Sequence, residues 1–248
     1  MKRLLGLALV GAVLGAAAFW LSQPDRPDFA TFDKLLHRYV DEQGRVDYRG
    51  WKATGRADLS HFLEWQAGAW PSRYSREAQL AFWINAYNAC VIARVLDAYP
   101  IPTANAVQGF FQDPGFRVAG RQMSLNDIEH GFVRNKFRDP RAHAALVCAG
   151  KSCPRLLPRA YPAEGLDAVL DAQMREFVAS EFRNRYDEKA GAAHLSDIFN
   201  GYRADFEGAA GTLVEFVKRY ADERTRALLS RPDLKVDFLV YDSSLNER

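Results

Sequence analysis

Two stretches of the chain are apolar without a period, and the rest alternates between helical spacing and short extended runs. The first stretch, Leu4–Leu21, is 18 uncharged, mostly apolar residues behind Lys2 and Arg3. That is the positive flank and apolar core of an export signal, at the lower length limit for a spanning helix. Ala16-Ala17-Ala18 offers a small-x-small cleavage site, and Ser22–Pro27 forms a short tether. The expectation is a signal peptide or N-terminal membrane anchor plus tether over residues 1–27. A single globular domain then follows over 28–248, exported and therefore periplasmic or facing the periplasm.

The second stretch predicts a helix from Arg76 to Tyr99, with Ser75 as N-cap, Glu77 in the first turn and Pro100 as the stop. From Leu80 to Leu96 its only strongly polar side chains are Asn85, Asn88 and Arg94, so the helix is buried nearly all round. Asn85 and Asn88, three apart, are neighbours on one face, and Ala81 and Ile92 share their sector. Amides in a core are costly unless their hydrogen bonds are met. Either they clamp a loop backbone or one of them orients a ligand or catalytic group.

Elsewhere the pattern predicts a helix over Asp28–Val40, a short strand at Gly44–Tyr48 and a helix over Trp51–Trp70. A hairpin over Phe116–Leu125 turns at Ala119-Gly120. Ser124 and Asp127 resemble a capping box for a short helix carrying Glu129 and His130. His143–Cys148 (HAALVC) is expected as a buried strand. Helices follow over Ala163–Asn184, from Ser196 toward Phe206 and over Gly211–Tyr220, with a closing strand at Val236–Tyr241. The fold class is α+β: a helix-rich single domain with a small, mostly antiparallel sheet whose strands come from distant parts of the chain.

Composition adds limits. Hydrophobic residues make up 48%, charged residues 26% and aromatics 12% of the 248 residues, which describes a globular chain with a real core. Without Lys2 and Arg3 the 33 basic residues fall to 31, equal to the 31 acidic ones. No basic stripe remains for nucleic acid, so the expected partner is a small-molecule or peptide ligand, with membrane contact only through the N-terminal segment. The cysteines are Cys90, Cys148 and Cys153. No C-x-x-C occurs, a zinc site lacks a fourth ligand, and neither metal nor cofactor is implied.

Reactive groups concentrate in Arg141–Pro154 (RAHAALVCAGKSCP). Pro154 suits the first position of a helix, which would set Cys153 at a helix N-terminus where a thiol is activated. His130 beside Glu129, or His143, could serve as base. Alternatively, Cys148 and Cys153 form a disulfide closing a tight loop. Cys90, among alanines, is core packing. The Ala149–Ser152 loop leaves the expected strand with unpaired backbone groups, and the site is expected where the 143–154 segment meets the Asn85/Asn88 face.

Several segments occur together in order: Gly44–Tyr48, Phe82–Asn88 (FWINAYN), Leu125–Gly131 (LNDIEHG), His143–Pro154, Ile198-Phe199, Tyr202, Asp205-Phe206 and Tyr241–Asn246 (YDSSLN). Together they resemble the bacterial domain-of-unknown-function family numbered 547, over roughly Phe29 to Asn246. Ser243 stands where that family's closing motif has Trp, and Cys90 where an aliphatic residue is usual. The resemblance implies no established reaction. The order helix (Asn85), His143 strand, late strand ending at Asp242 is similar to that of transglutaminase-like and papain-like thiol enzymes, with an Asn where their Cys would stand. The leading expectation is a thiol-dependent hydrolase or acyltransferase acting on amide or thioester bonds. Cys153 would attack, with Cys148 the second candidate thiol, His130 or His143 would act as base, and Glu129 or Asp242 would orient it. Asn85, Asn88, Tyr87 and Ser152 would shape the binding site. The alternatives are a non-catalytic periplasmic binding or scaffold module and a thiol-redox protein.

Overall fold

The computed structural model describes residues 26–248, so the expected signal or anchor lies almost wholly outside the described residues. Its organising element is the buried helix. Helix α1 (Ala30–Tyr39) packs on α2 (Tyr48–Thr54) and α3 (Arg56–Gly68), and these two pack on α4 (Arg76–Ala98). The Ser75 hydroxyl accepts from the Ala78 N–H to start α4, and the chain turns extended at Tyr99 before Pro100. Around α4 lies an aromatic core in which Phe32 stacks on Phe62 at 4.9 Å, Tyr39 on Trp51 at 5.0 Å and Trp83 on Phe132 at 4.0 Å. A second core is built from Met174, Phe177, Phe199, Phe206 and Phe216.

Strands are short. β1 (Phe116–Val118) and β2 (Arg121–Met123) form the expected antiparallel hairpin, with Ala119 and Gly120 both at positive φ in the turn. Ser124 and Asp127 then close a reciprocal box: the Ser124 N–H and hydroxyl both donate to Asp127 Oδ2 at 2.8 Å, and the Asp127 N–H donates to Ser124 Oγ at 3.0 Å. The helix this box starts, α5 (Asp127–Phe137), is wound in the wide π register, a winding that recurs at functional sites. After α6 (Leu166–Ala179), strand β3 (Arg185–Asp187) pairs antiparallel with β4 (Ala192–Leu195). Strand β5 (Lys235–Phe238) pairs parallel with β4. The parallel pairing is possible because the connection carries α7 (Asp197–Gly201), α8 (Arg203–Ala210), α9 (Leu213–Tyr220) and α10 (Glu223–Leu229), a crossover of sufficient length. The result is a helix-rich α+β fold in which the one departure from antiparallel pairing in these two sheets is β4–β5.

Two expected elements are corrected. The stretch 143–148 is not a strand: Pro140–Ala144 forms a 3₁₀ turn and the chain then runs irregularly to an isolated bridge between Gly150 and Leu245. The stretch around Gly44–Tyr48 holds only the Val40–Val46 and Val46–Glu247 bridges before α2 begins at Tyr48. The reason for the first lies on α4. Asn88 Nδ2 donates to the Ala145 carbonyl at 2.9 Å and its Oδ1 accepts from the Val147 N–H at 3.0 Å. Asn85 treats Tyr161 alike, donating to its carbonyl at 2.8 Å and accepting from its N–H at 2.9 Å. Buried backbone must be paired somewhere, and here side-chain amides do what a strand neighbour would do.

Both amides are fully buried, so a leucine at either site strands two backbone groups. Asn85→Leu and Asn88→Leu should each lower the unfolding free energy by about 1–3 kcal/mol. Urea denaturation of each variant checks this, and an unchanged midpoint would contradict the clamp.

Candidate functional site

The 143–148 segment, held on α4, forms one wall of a cleft of about 520 Å³. Helix α5 supplies Glu129, His130 and Arg134, α4 supplies Tyr87, the segment itself supplies His143 and Cys148, the α7–α8 junction supplies Tyr202, and the C-terminal tail supplies Tyr241. Volume and mixed lining suit a small ligand.

The polar groups form two connected sets. His143, buried, hydrogen-bonds through Nε2 to Asp205 Oδ2 at 2.8 Å. Arg134 grips the same carboxylate with both arms of its guanidinium, Nε to Oδ2 at 2.7 Å and Nη2 to Oδ1 at 3.1 Å. The His143 hydrogen bond, helped by Arg134, holds the Asp205 carboxyl well below the usual carboxylate range. A charged Asp205 fixes the proton of neutral His143 on Nε2, which leaves Nδ1 as an acceptor. The imidazole stacks on Tyr202, centroids 4.0 Å apart, and packs against Phe206 at 5.3 Å. Arg134 also meets His130: its Nη1 lies 2.8 Å from His130 Nδ1. Since a guanidinium only donates, that nitrogen accepts and the His130 proton sits on Nε2.

The second set centres on Glu129, whose carboxylate is buried and accepts a 2.6 Å hydrogen bond from the Tyr202 hydroxyl. The Tyr87 hydroxyl lies beside it as well, and burial first, then the Glu129 charge, push the Tyr87 phenol well above its ordinary value. Burial does the same to Tyr202. Both phenols therefore stay protonated and serve as donors. Tyr202 joins the sets, since its hydroxyl holds Glu129, its ring carries His143, and the Arg134 guanidinium lies 4.9 Å from that ring's centre.

At the cleft's edge Cys148 and Cys153 are joined in a disulfide. Cys148 is partly exposed and lines the cleft, whereas Cys153 is fully buried behind it. Among the described residues no group of three or more His, Cys, Asp or Glu side chains is placed to hold a metal.

Of the residues expected from sequence, the cleft gathers Tyr87, Glu129, His130, His143 and Cys148. The others stand elsewhere. Cys153 is not at a helix N-terminus, because the chain after Pro154 is irregular, and its sulfur is bonded and out of reach. Asn85 and Asn88 do not line the cleft; they lie behind it as backbone clamps. Ser152 Oγ accepts the Asp242 N–H at 2.9 Å. Asp242, exposed, caps the Ser244 N–H through Oδ1 at 2.9 Å and orients no histidine. The carboxylate that orients one is Asp205, which sequence reasoning missed along with Arg134, Tyr202 and Tyr241. Tyr202, Asp205 and Tyr241 all fell within segments that carried the family resemblance. Arg134 is one turn from His130 on the same helix, so a pairing at four-residue spacing was the available signal.

A family model described as "Protein of unknown function, DUF547" matches residues 71–178. The matched segment contains α4, α5 and both cysteines of the disulfide, but not Tyr202, Asp205 or Tyr241. Significant similarity was found to no curated protein and to no solved structure.

The depressed carboxyl of Asp205 sets a pH dependence. Its folded-state value lies below its unfolded one, so its contribution to stability is complete above about pH 4, the ordinary carboxylate value. That contribution is lost as pH falls from there through the folded value. The stability difference between wild type and Asp205→Asn should therefore shrink as pH falls below about 4, measured by denaturation at each pH. A difference that grows in acid would contradict the ion-paired site.

Proposed function

We propose that the cleft is the active site of a thiol-dependent hydrolase or acyltransferase acting on amide or thioester bonds, with Cys148 rather than Cys153 as the nucleophile. The observation that carries this reading is that Cys148 lines the same cleft as a histidine already oriented by a carboxylate, His143 Nε2 to Asp205 Oδ2 at 2.8 Å. Nucleophile, base and orienting group on one cleft are the requirements of acyl transfer through a covalent intermediate. Two equivalents of a low-molecular-weight thiol must first reduce the disulfide, leaving as their own disulfide and freeing both Cys148 and Cys153. His143 Nδ1 then takes the Cys148 proton, and the thiolate attacks the carbonyl carbon. The leaving amine or thiol departs with the proton from the imidazolium, leaving a thioester on Cys148. Water or an acceptor, deprotonated by His143, attacks the thioester and returns the thiol. Asp205 stabilises the imidazolium at each stage, and Arg134 keeps Asp205 charged. Glu129, Tyr87 and Tyr202 bind and orient the ligand. No cofactor takes part.

The protein acts outside the cytoplasm, anchored or released at the inner membrane through Leu4–Leu21. A disulfide at the cleft fits an oxidising compartment. The balanced charge of the remaining chain favours a small-molecule or peptide ligand over nucleic acid.

The reduced protein mixed with a chromogenic short-chain thioester should accumulate one acyl group on the Cys148 peptide, detected by mass spectrometry. His143→Ala should slow that acylation about 10²- to 10⁴-fold, while Asp205→Asn should slow it less. An acyl group found elsewhere, or a rate untouched by His143→Ala, would overturn the reading and leave a non-catalytic binding module.

A further inference from the structure

The surroundings of the two sulfurs differ in a way acyl chemistry does not require. Three donors converge on the buried Cys153 Sγ. The Cys148 and Gly150 N–H groups each lie 3.2 Å from it, and the Tyr241 hydroxyl lies 3.0 Å from it. Cys148 Sγ, at the cleft, has only the Tyr241 hydroxyl, also at 3.0 Å. The Ala149 backbone, left-handed at φ 66°, turns the chain between the two donating peptides so that both face inward. Successive N–H groups in such a turn form a concave anion site. The C-terminal tail locks the turn: Asn246 N–H donates to the Ala149 carbonyl at 2.9 Å, Lys151 N–H to the Ser244 carbonyl at 2.8 Å and Ser152 N–H to the Asp242 carbonyl at 3.0 Å. The same tail carries Tyr241.

We propose that the Cys148–Cys153 pair is an exchanging disulfide whose substrate is a low-molecular-weight thiol entering the cleft, with Cys148 as the attacked sulfur and Cys153 as the leaving one. The substrate thiolate attacks Cys148 Sγ, the Cys148–Cys153 bond breaks, and its electron pair leaves on Cys153. The products are a mixed disulfide on Cys148 and a Cys153 thiolate held by two N–H groups and a phenol. A second substrate thiolate then attacks the substrate sulfur of the mixed disulfide, releasing the oxidised substrate as its disulfide and Cys148 as a thiolate. The protein gains the two electrons that the two thiols lose. Better stabilisation of the leaving thiolate speeds exchange, and the donors sit at the sulfur that must leave. Burial pushes the Tyr241 phenol up to about 12, so it remains a donor at neutral pH. The attacked sulfur faces a cleft of about 520 Å³, room for a small thiol but not for a folded partner.

The inference uses the cleft of the proposed enzyme but not its acyl chemistry, and its test contains no acyl substrate. The native oxidised protein is mixed with reduced glutathione, quenched in acid, alkylated and digested. The expected result is glutathione on the Cys148 peptide and alkylation on Cys153, without denaturant. Tyr241→Phe should slow the exchange about tenfold. In a Cys148→Ser protein it should also raise the pH at which the Cys153 thiolate absorbs at 240 nm; burial pushes the remaining Cys90 thiol up to about 12, clear of that range. An adduct on Cys153, a disulfide that opens only in guanidinium, or exchange and titration both unmoved by Tyr241→Phe would overturn the proposal. If exchange proceeds and the reduced protein is not acylated, only the acyl-transfer reading fails.

Discussion

Asn88 holds the site together. Its amide makes two buried hydrogen bonds to the peptide groups of Ala145 and Val147, and those peptides lie between His143 and Cys148. Within that one short stretch a histidine and a cysteine are aimed into the same cleft. A regular strand would send side chains an odd number of residues apart to opposite faces. The clamp removes that alternation, because it satisfies the backbone without imposing a strand's geometry. The buried amide and the 143–148 segment are therefore one device, and Asn85 repeats it at Tyr161 to fix the chain farther on.

Around that device the fold contributes walls from distant parts of the sequence. The π-wound helix α5 brings Glu129, His130 and Arg134 to one side, and the α7–α8 junction brings Tyr202 to the other, with Asp205 in the first turn of α8. Arg134 and Asp205 tie the two walls through a bidentate ion pair. Tyr202 adds a second tie, with its hydroxyl on Glu129 and its ring on His143. The tail beyond β5 closes the edge by bonding to the 149–152 turn. A substitution in any of these pieces acts on the same few groups.

What the sequence disclosed followed from local physics. Periodicity and capping residues were enough for α4, for the β1–β2 hairpin and for the Ser124–Asp127 box, because each is specified by neighbours in the chain. The cost of burying Asn85 and Asn88 pointed to a clamp, yet not to what they clamp. The expected strand at 143–148 failed because an apolar run carries no sign that a side chain from α4 will replace its ladder partner. Pro154 favours Cys153 over Cys148 in the sequence, whereas the buried Cys153 sulfur meets Tyr241 of the tail, 88 residues on. Asp205 was hidden for the same reason: nothing near it in sequence shows that it faces His143 across 62 residues.

The pairing of His143 with Cys148 is the claim on which the functional account stands. It is tested most directly by the pH dependence of Cys148 alkylation in the reduced protein, compared with His143→Ala. A thiol paired with an oriented histidine should alkylate with a midpoint well below the ordinary thiol value of about 8.5, and the substitution should return the midpoint to that value. A midpoint near the ordinary value in both proteins would contradict the account.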